Sequence, residues 1–217
     1  SAHAPYYINF ANPEEENVRK SVGYILESLE KVLEMGGNRV VFHPGSVQKR
    51  GREEASALLF RNMEKLSEAL DVFPREIKIC PETMGKLGQL GTVEEIVGLC
   101  NLDERFYPCF DFGHINSREQ GILHTKEDYE RIYDYLQKNL PAHKVDEMHI
   151  HFSKIQYGTS GEIRHLTFED GIFGPPFEPL LEVLAERKLS CHILCESAGT
   201  QIEDAETMKK YYDTLLK

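Results

Sequence analysis

The sequence predicts an α/β protein built as a (β/α)8 TIM barrel, and three observations carry that prediction. Amphipathic helices alternate with short apolar strands along the whole chain. No hairpin signal interrupts the alternation, which implies a parallel sheet. Strand after strand then ends in a metal-binding side chain. The segments are Arg39-Val40-Val41-Phe42-His43, Ile77-Lys78-Ile79-Cys80-Pro81-Glu82, Tyr107-Pro108-Cys109-Phe110-Asp111 and His192-Ile193-Leu194-Cys195-Glu196. Glu147-Met148-His149-Ile150-His151 carries its ligand types just inside the end. In a parallel barrel such ends meet at one mouth. His, Glu and Asp are ligand types of zinc and manganese.

The elements follow in order. Asn12-Pro13 opens a helix that runs to about Met35, before Gly36-Gly37. Its residues Val18, Val22, Ile25, Leu26, Leu29, Val32 and Leu33 keep helical spacing. A second helix covers about Arg52 to Leu70. Thr92-Val93-Glu94-Glu95 is a capping box opening a third. Thr125-Lys126-Glu127-Asp128 resembles one and opens the next, to about Lys138. Helices near Phe177 to Lys188 and Asp204 to Leu216 follow. The stretch from Ser153 to Pro176 reads as a long loop, and loops of that length in a compact domain are often functional. Ligand-bearing strand ends fall at His3, His43, Glu82, Asp111, His149 and Glu196. A closed eight-unit barrel takes about 250 residues, so the expectation is a barrel whose first two β/α units are missing from this chain.

With 217 residues, the simplest organisation is one domain over 1–217. No run approaches the ~20 apolar residues of a membrane span. The N-terminus lacks a basic region followed by an apolar stretch, so no secretion signal is expected. Cys80, Cys100, Cys109, Cys191 and Cys195 form no CxxC pair and read as small buried residues in a reducing cytoplasm. The formal charge of −11 argues against broad nucleic-acid binding. It leaves a nucleic-acid enzyme open, because bound divalent metals would make the cleft itself positive.

Strand alternation tests whether the ligands can meet. If Glu196 points inward, so do Leu194 and His192. If His149 points inward, so does His151, one layer nearer the mouth. Asp111 and His114 both reach the mouth from a turn, though not necessarily toward the same metal. An inward charge on a barrel strand is costly unless paired or metal-bound. That disfavours a merely structural role for His43, His149, Glu82, Asp111 and Glu196.

These motifs together resemble the endonuclease IV family. They are Ala2-His3-Ala4-Pro5-Tyr6-Tyr7-Ile8-Asn9, Phe42-His43-Pro44-Gly45-Ser46, Glu82, Asp111-Phe112-Gly113-His114, Met148-His149 and Glu196. The resemblance implies a xylose-isomerase-like TIM barrel with a trinuclear zinc site that cleaves DNA at abasic sites. It places His3, His43 and Glu82 on a first metal. Glu82 would bridge to a second metal held by Asp111, His149 and Glu196, and His114 would hold a third. Glu82 and Glu196 would be the catalytic carboxylates. The family's long loop supplies an Asp and a His separated by one residue; here the nearest pair is Glu162 and His165. His151 stands where a smaller polar residue is expected and can join or replace that third site. Tyr6 matches an aromatic that distorts DNA. The expected cofactor is Zn2+, two or three per chain, with Mn2+ as the other metal. The expected partner is abasic DNA, with no membrane and a monomer when full length.

Other histidines, His124, His143 and His192, are assigned surface or core roles. Tyr129, Tyr133 and Tyr135 read as core and rim. Lys49, Arg50 and Arg52 read equally as phosphate contacts or as a solvated loop. The competing function is a sugar isomerase or epimerase using one divalent metal on Glu82, Asp111, His149 and Glu196, with the two glutamates exchanging a proton. His3, His43, His114 and His165 favour the nuclease, since an epimerase has no use for them. A binding module with a relic metal site is the non-enzymatic reading.

Overall fold

The computed structural model describes residues 1–216; Lys217, the last residue of the expected domain, lies outside them. The chain divides into two units, Ser1–Met84 with Gly88–Cys109, and Gly85–Leu87 with the chain from Phe110 onward.

The first unit runs β1 (Ala2–His3), α1 (Glu15–Glu34), β2 (Arg39–Phe42), β3 (Gly45–Ser46), α2 (Arg52–Ala69), β4 (Lys78–Pro81), β5 (Gln89–Leu90) and α3 (Val93–Cys100). Its sheet has the order β1-β2-β4, all parallel, with His3 opposite Val41 and Phe42 opposite Pro81. The next stretch of chain extends the pairing: Tyr107 N–H donates to Ile79 O at 3.0 Å, and Cys109 bridges to Glu82. Val40, Val41, Phe42, Ile79 and Cys80 are all buried. Burial on both faces explains why β2 and β4 read as continuous apolar runs rather than alternating ones. Helix α1 buries Val18, Ile25, Leu29 and Val32 along one stripe. The structure corrects its start. Asn12 Oδ1 accepts from Glu14 N–H at 2.9 Å, a local turn ahead of the helix, and the helix begins at Glu15. The Thr92–Glu95 capping box forms as expected.

The second unit begins at β6 (Cys109–Asp111), the strand on which the chain passes into it. It continues through α4 (Phe112–Arg118), α5 (Lys126–Asn139), α6 (Ala142–Asp146), β7 (His149–Phe152), β8 (Ile155–Gly158), β9 (Gly161–His165), α7 (Glu178–Arg187), β10 (His192–Cys195) and α8 (Gln201–Leu215). Sheet order is β10-β7-β6, and β10 runs parallel to β7 with Leu194 opposite His151. Tyr129 and Tyr133 are fully buried on α5 and Tyr135 is half-buried, the expected core and rim.

Two antiparallel pairings depart from the purely parallel expectation, β3 with β5 and the hairpin β8–β9. The hairpin occupies the stretch read as a loop. Its turn is Gly158-Thr159-Ser160-Gly161, and its short arms mix polar and apolar residues too irregularly to show a period. Gly161 is required there. Its φ is +88°, and a Cβ would lie 2.1 Å from Gly85 O. Helices α4 and α6 are further elements the periodicity did not reveal.

None of the five cysteines forms a disulfide among the described residues; four are buried and Cys191 is half-buried. Burial pushes the Cys80 and Cys195 thiols up to about 12. No helix among the described residues is long and apolar enough to cross a membrane. A cavity of about 610 Å3 between α7, α8 and β10 is lined by residues including Leu181, Leu184, Met208 and Tyr212, and holds none of the candidate ligands.

Candidate metal centres

Parallel register brings the first ligand set together. Phe42 faces Pro81, and Glu82 N–H donates to Phe42 O at 3.1 Å, so His43 and Glu82 leave adjacent strands at the same level. The Glu82 side chain is 1% exposed, and its Oε2 lies 3.0 Å from His3 Nε2 and 3.3 Å from His43 Nε2. The two rings meet edge to face, centroids 4.7 Å apart. His3 Nδ1 is 2.7 Å from Ala4 O. A carbonyl oxygen only accepts, so Nδ1 carries a proton, and in its neutral form His3 would turn a bare Nε2 lone pair toward Glu82. Two imidazole nitrogens and one buried carboxylate oxygen on a common point form a set that could hold a cation.

The second unit holds two further sets. In the first, Asp111, His151 and Glu196 each offer a ligand atom within 4.8 Å of the others. His151 Nδ1 lies 3.1 Å from Glu196 Oε1. Asp111 and His151 are buried, and Glu196 is half-buried. Two carboxylates confined within 4.8 Å of each other repel when both are ionised, a cost that a cation between them would remove. Asp111 is held in place from below. Its Oδ1 accepts from His114 N–H at 2.7 Å, capping α4, so one oxygen orients the side chain.

In the second set, His114, Glu162 and His165 converge. His114 Nε2 is 3.5 Å from Glu162 Oε2, and His165 Nε2 is 4.0 Å from Glu162 Oε1. Ser153 Oγ hydrogen-bonds His165 Nδ1 at 2.8 Å, which leaves Nε2 turned toward Glu162. Glu162 is placed by its own N–H, which donates to Gly85 O at 3.1 Å. The close approach allowed by Gly161 therefore delivers this ligand.

The donor sets fit a zinc-like cation. With bonds of about 2.0–2.1 Å, ligand atoms around a tetrahedral zinc sit about 3.3 Å apart. The separations of 3.0, 3.3, 3.1 and 3.5 Å bracket that value, and the 4.0 Å between His165 and Glu162 lies beyond it.

His149 is buried on β7 with its ring edge-on to His151, centroids 5.1 Å apart. The structure thus puts both β7 histidines on one inward face, as the alternation implied, and brings His151 to Asp111 and Glu196. Tyr6 is 80% exposed, with Tyr7 and Tyr24 edge to face behind it. Arg52 is engaged, donating to Glu95 at 2.7 Å and to Gln89 O, which gives it a structural task. His124, His143 and His192 are exposed. Ser153 carries no signal in the sequence, because a serine just beyond a strand gains a role only once the hairpin folds against it.

A family model described as xylose isomerase-like TIM barrel matches residues 1–215. An uncharacterized protein of Methanocaldococcus jannaschii is 34% identical over 211 residues, covering 97% of this chain and 76% of its own length. A probable endonuclease 4 of Acholeplasma laidlawii is 29% identical over 187 residues, covering 84% of this chain, which spans 61% of that relative. Among solved structures, a D-tagatose 3-epimerase-like protein superposes with a TM-score of 0.72 at 22% identity, covering 98% of this chain and 76% of that one. Endonuclease IV from Thermus thermophilus gives 0.65 at 21% identity, covering 99% and 74%. At such identities these structural likenesses establish the fold alone. By the match across residues 1–215 and the 34% identical relative, the chain belongs to the xylose isomerase-like TIM barrel family, in which endonuclease IV is among its relatives.

Proposed function

We propose that this protein is a metal-dependent hydrolase that cleaves the DNA backbone at abasic sites. One observation carries the reading: His3 and His43 both aim Nε2 at a single buried oxygen of Glu82. That is a ligand set beyond the single metal needed for proton transfer between sugar epimers. The curated relatives named probable endonuclease 4 support it.

Bound zinc, or manganese in its place, would supply positive charge to a phosphodiester, neutralising the oxygens as phosphorus is attacked. The residues do the rest. His3, His43 and Glu82 would hold one ion. Asp111 and Glu196 would hold a second, with His151 in the place expected of His149, and Glu196 would orient the attacking water. His114, Glu162 and His165 would hold a third, whose charge would stabilise the leaving oxygen. Tyr6, exposed and three residues after His3 in the chain, would stack on or wedge into the DNA. The protein acts in the cytoplasm as a monomer.

A sugar epimerase is the second reading, since strand-end carboxylates and a β7 histidine would suffice to hold one metal. The test is a duplex bearing one abasic site, assayed with zinc and with chelator, alongside ketose epimerisation. Nicking that chelator abolishes and that His43→Ala removes is the expected outcome. A metal-loaded protein that leaves abasic DNA intact and interconverts ketose epimers, with His43→Ala largely active, would establish the alternative.

A further inference from the structure

We infer that Arg118 is a positioning residue for the His114, Glu162 and His165 set, because it holds in place the stretch of backbone on which Glu162 hangs. The inference rests on the reading that this set takes a divalent metal, and it assigns a residue outside the set.

Arg118 closes α4 and is 8% exposed. A buried guanidinium is costly unless its donors are met. Its Nη1–H donates to Lys86 O at 2.8 Å, and Nη2 lies 3.5 Å from Leu87 O. Gly85–Leu87 groups with the second unit although the chain on either side of it belongs to the first. The backbone of Gly85–Leu87 pairs in turn with the hairpin. Leu87 N–H donates to Ser160 O at 3.1 Å, Lys86 bridges antiparallel to Gly161, and Glu162 N–H donates to Gly85 O at 3.1 Å. The approach reaches the ligand side chain itself: a Cβ on Gly85 would lie 2.7 Å from Glu162 Cβ and 3.0 Å from Glu162 Oε2. Arg118 comes four residues after His114, so both project from one face of α4. That face therefore supplies one imidazole and, through Arg118 and the backbone it holds, fixes the carboxylate 3.5 Å from that imidazole. The hairpin turn is fastened separately, by Gln120 Nε2–H donating to Gly158 O at 2.9 Å. This leaves the Glu162 side to Arg118.

A guanidinium at a helix C-terminus is favourable in its own right, so the competing role is that Arg118 only stabilises α4. Zinc titration of the full chain, followed by 15N-edited NMR of the imidazole nitrogens, separates the two. Arg118→Met keeps an apolar stem and removes the donors. It should raise the zinc midpoint of His114 and His165 about tenfold, the lower end of the 10–100-fold that outer groups are worth. The midpoint of His3 and His43 should stay at the wild-type value. Arg118→Lys, whose ammonium reaches one carbonyl, should recover most of the loss. Coupling is reciprocal, so in the unmutated protein zinc should slow hydrogen exchange at the Arg118 guanidinium and the Glu162 amide, with the midpoint of His114 and His165. That measurement decides the matter even where Arg118→Met fails to fold. Wild-type midpoints in Arg118→Met would overturn the inference, as would an equal rise at all four histidines. So would an Arg118 guanidinium and Glu162 amide indifferent to zinc, or a His114 and His165 that never titrate with it. No readout involves DNA, so a protein that shows the expected shifts yet leaves abasic DNA intact counts against the nuclease reading alone.

Discussion

Replacing Glu82 with Gln removes one charge from the first metal set while keeping its shape. The carboxylate is 1% exposed and receives His3 at 3.0 Å and His43 at 3.3 Å on one oxygen. Groups that only hydrogen-bond to metal ligands are worth about 10–100-fold in affinity, so a direct ligand turned neutral should cost at least about 100-fold. Ligand linkage converts this to stability. At zinc about 1,000 times its dissociation constant, binding stabilises by about 4.1 kcal/mol. At about 10 times, it stabilises by about 1.4 kcal/mol, a loss of about 2.7 kcal/mol. For a chain of this size each kcal/mol is about 2–4 °C in Tm, so the zinc-induced rise should shrink by about 5–11 °C. Without metal the sign reverses. A buried carboxylate is costlier than an amide of the same volume, so the metal-free variant should melt no lower than wild type. Calorimetry with and without zinc, paired with elemental analysis, reads both. A Glu82→Gln protein with wild-type metal content and an undiminished zinc-induced shift would refute the reasoning.

Other consequences are nearer the fold. Gly161→Ala sets a side chain at φ +88° with its Cβ 2.1 Å from Gly85 O, so the hairpin must move. We expect about 1–3 kcal/mol of destabilisation in urea melts, and weaker metal binding at His114, Glu162 and His165, because Glu162 hangs on that same carbonyl. Asp128 is held at about 2 by backbone N–H groups of Thr125 and then His124, with Arg131 adding to them. Its unfolded value is about 3.9, so its stabilisation is complete above that pH and is lost as pH falls through about 2. Asp128→Asn should therefore flatten Tm against pH between about 4 and 2.

Much of the helical frame was legible because its causes are local. The stripe Val18, Ile25, Leu29 and Val32 and the Thr92–Glu95 box depend on residues three and four apart, so the chain itself encodes them. The inward ligands were legible for a related reason: a charged or imidazole residue closing an apolar run is anomalous wherever the run is buried. Three features needed the folded chain. Asn12 promised a helix cap, yet its side chain closes a turn on Glu14, a choice that residue type leaves open. The β8–β9 hairpin is positioned by a contact between Gly161 and Gly85, 76 residues earlier in sequence, which no local pattern records. Alternation put His149 and His151 on one face but left open which of them meets Glu196. That is decided by the register of β7 against β10, a set of backbone hydrogen bonds between segments more than 40 residues apart. The side-chain types mark candidate metal ligands; only the register decides which of them come close enough to share an ion, because a ligand set is defined by distances of a few ångströms between strands that the sequence keeps far apart.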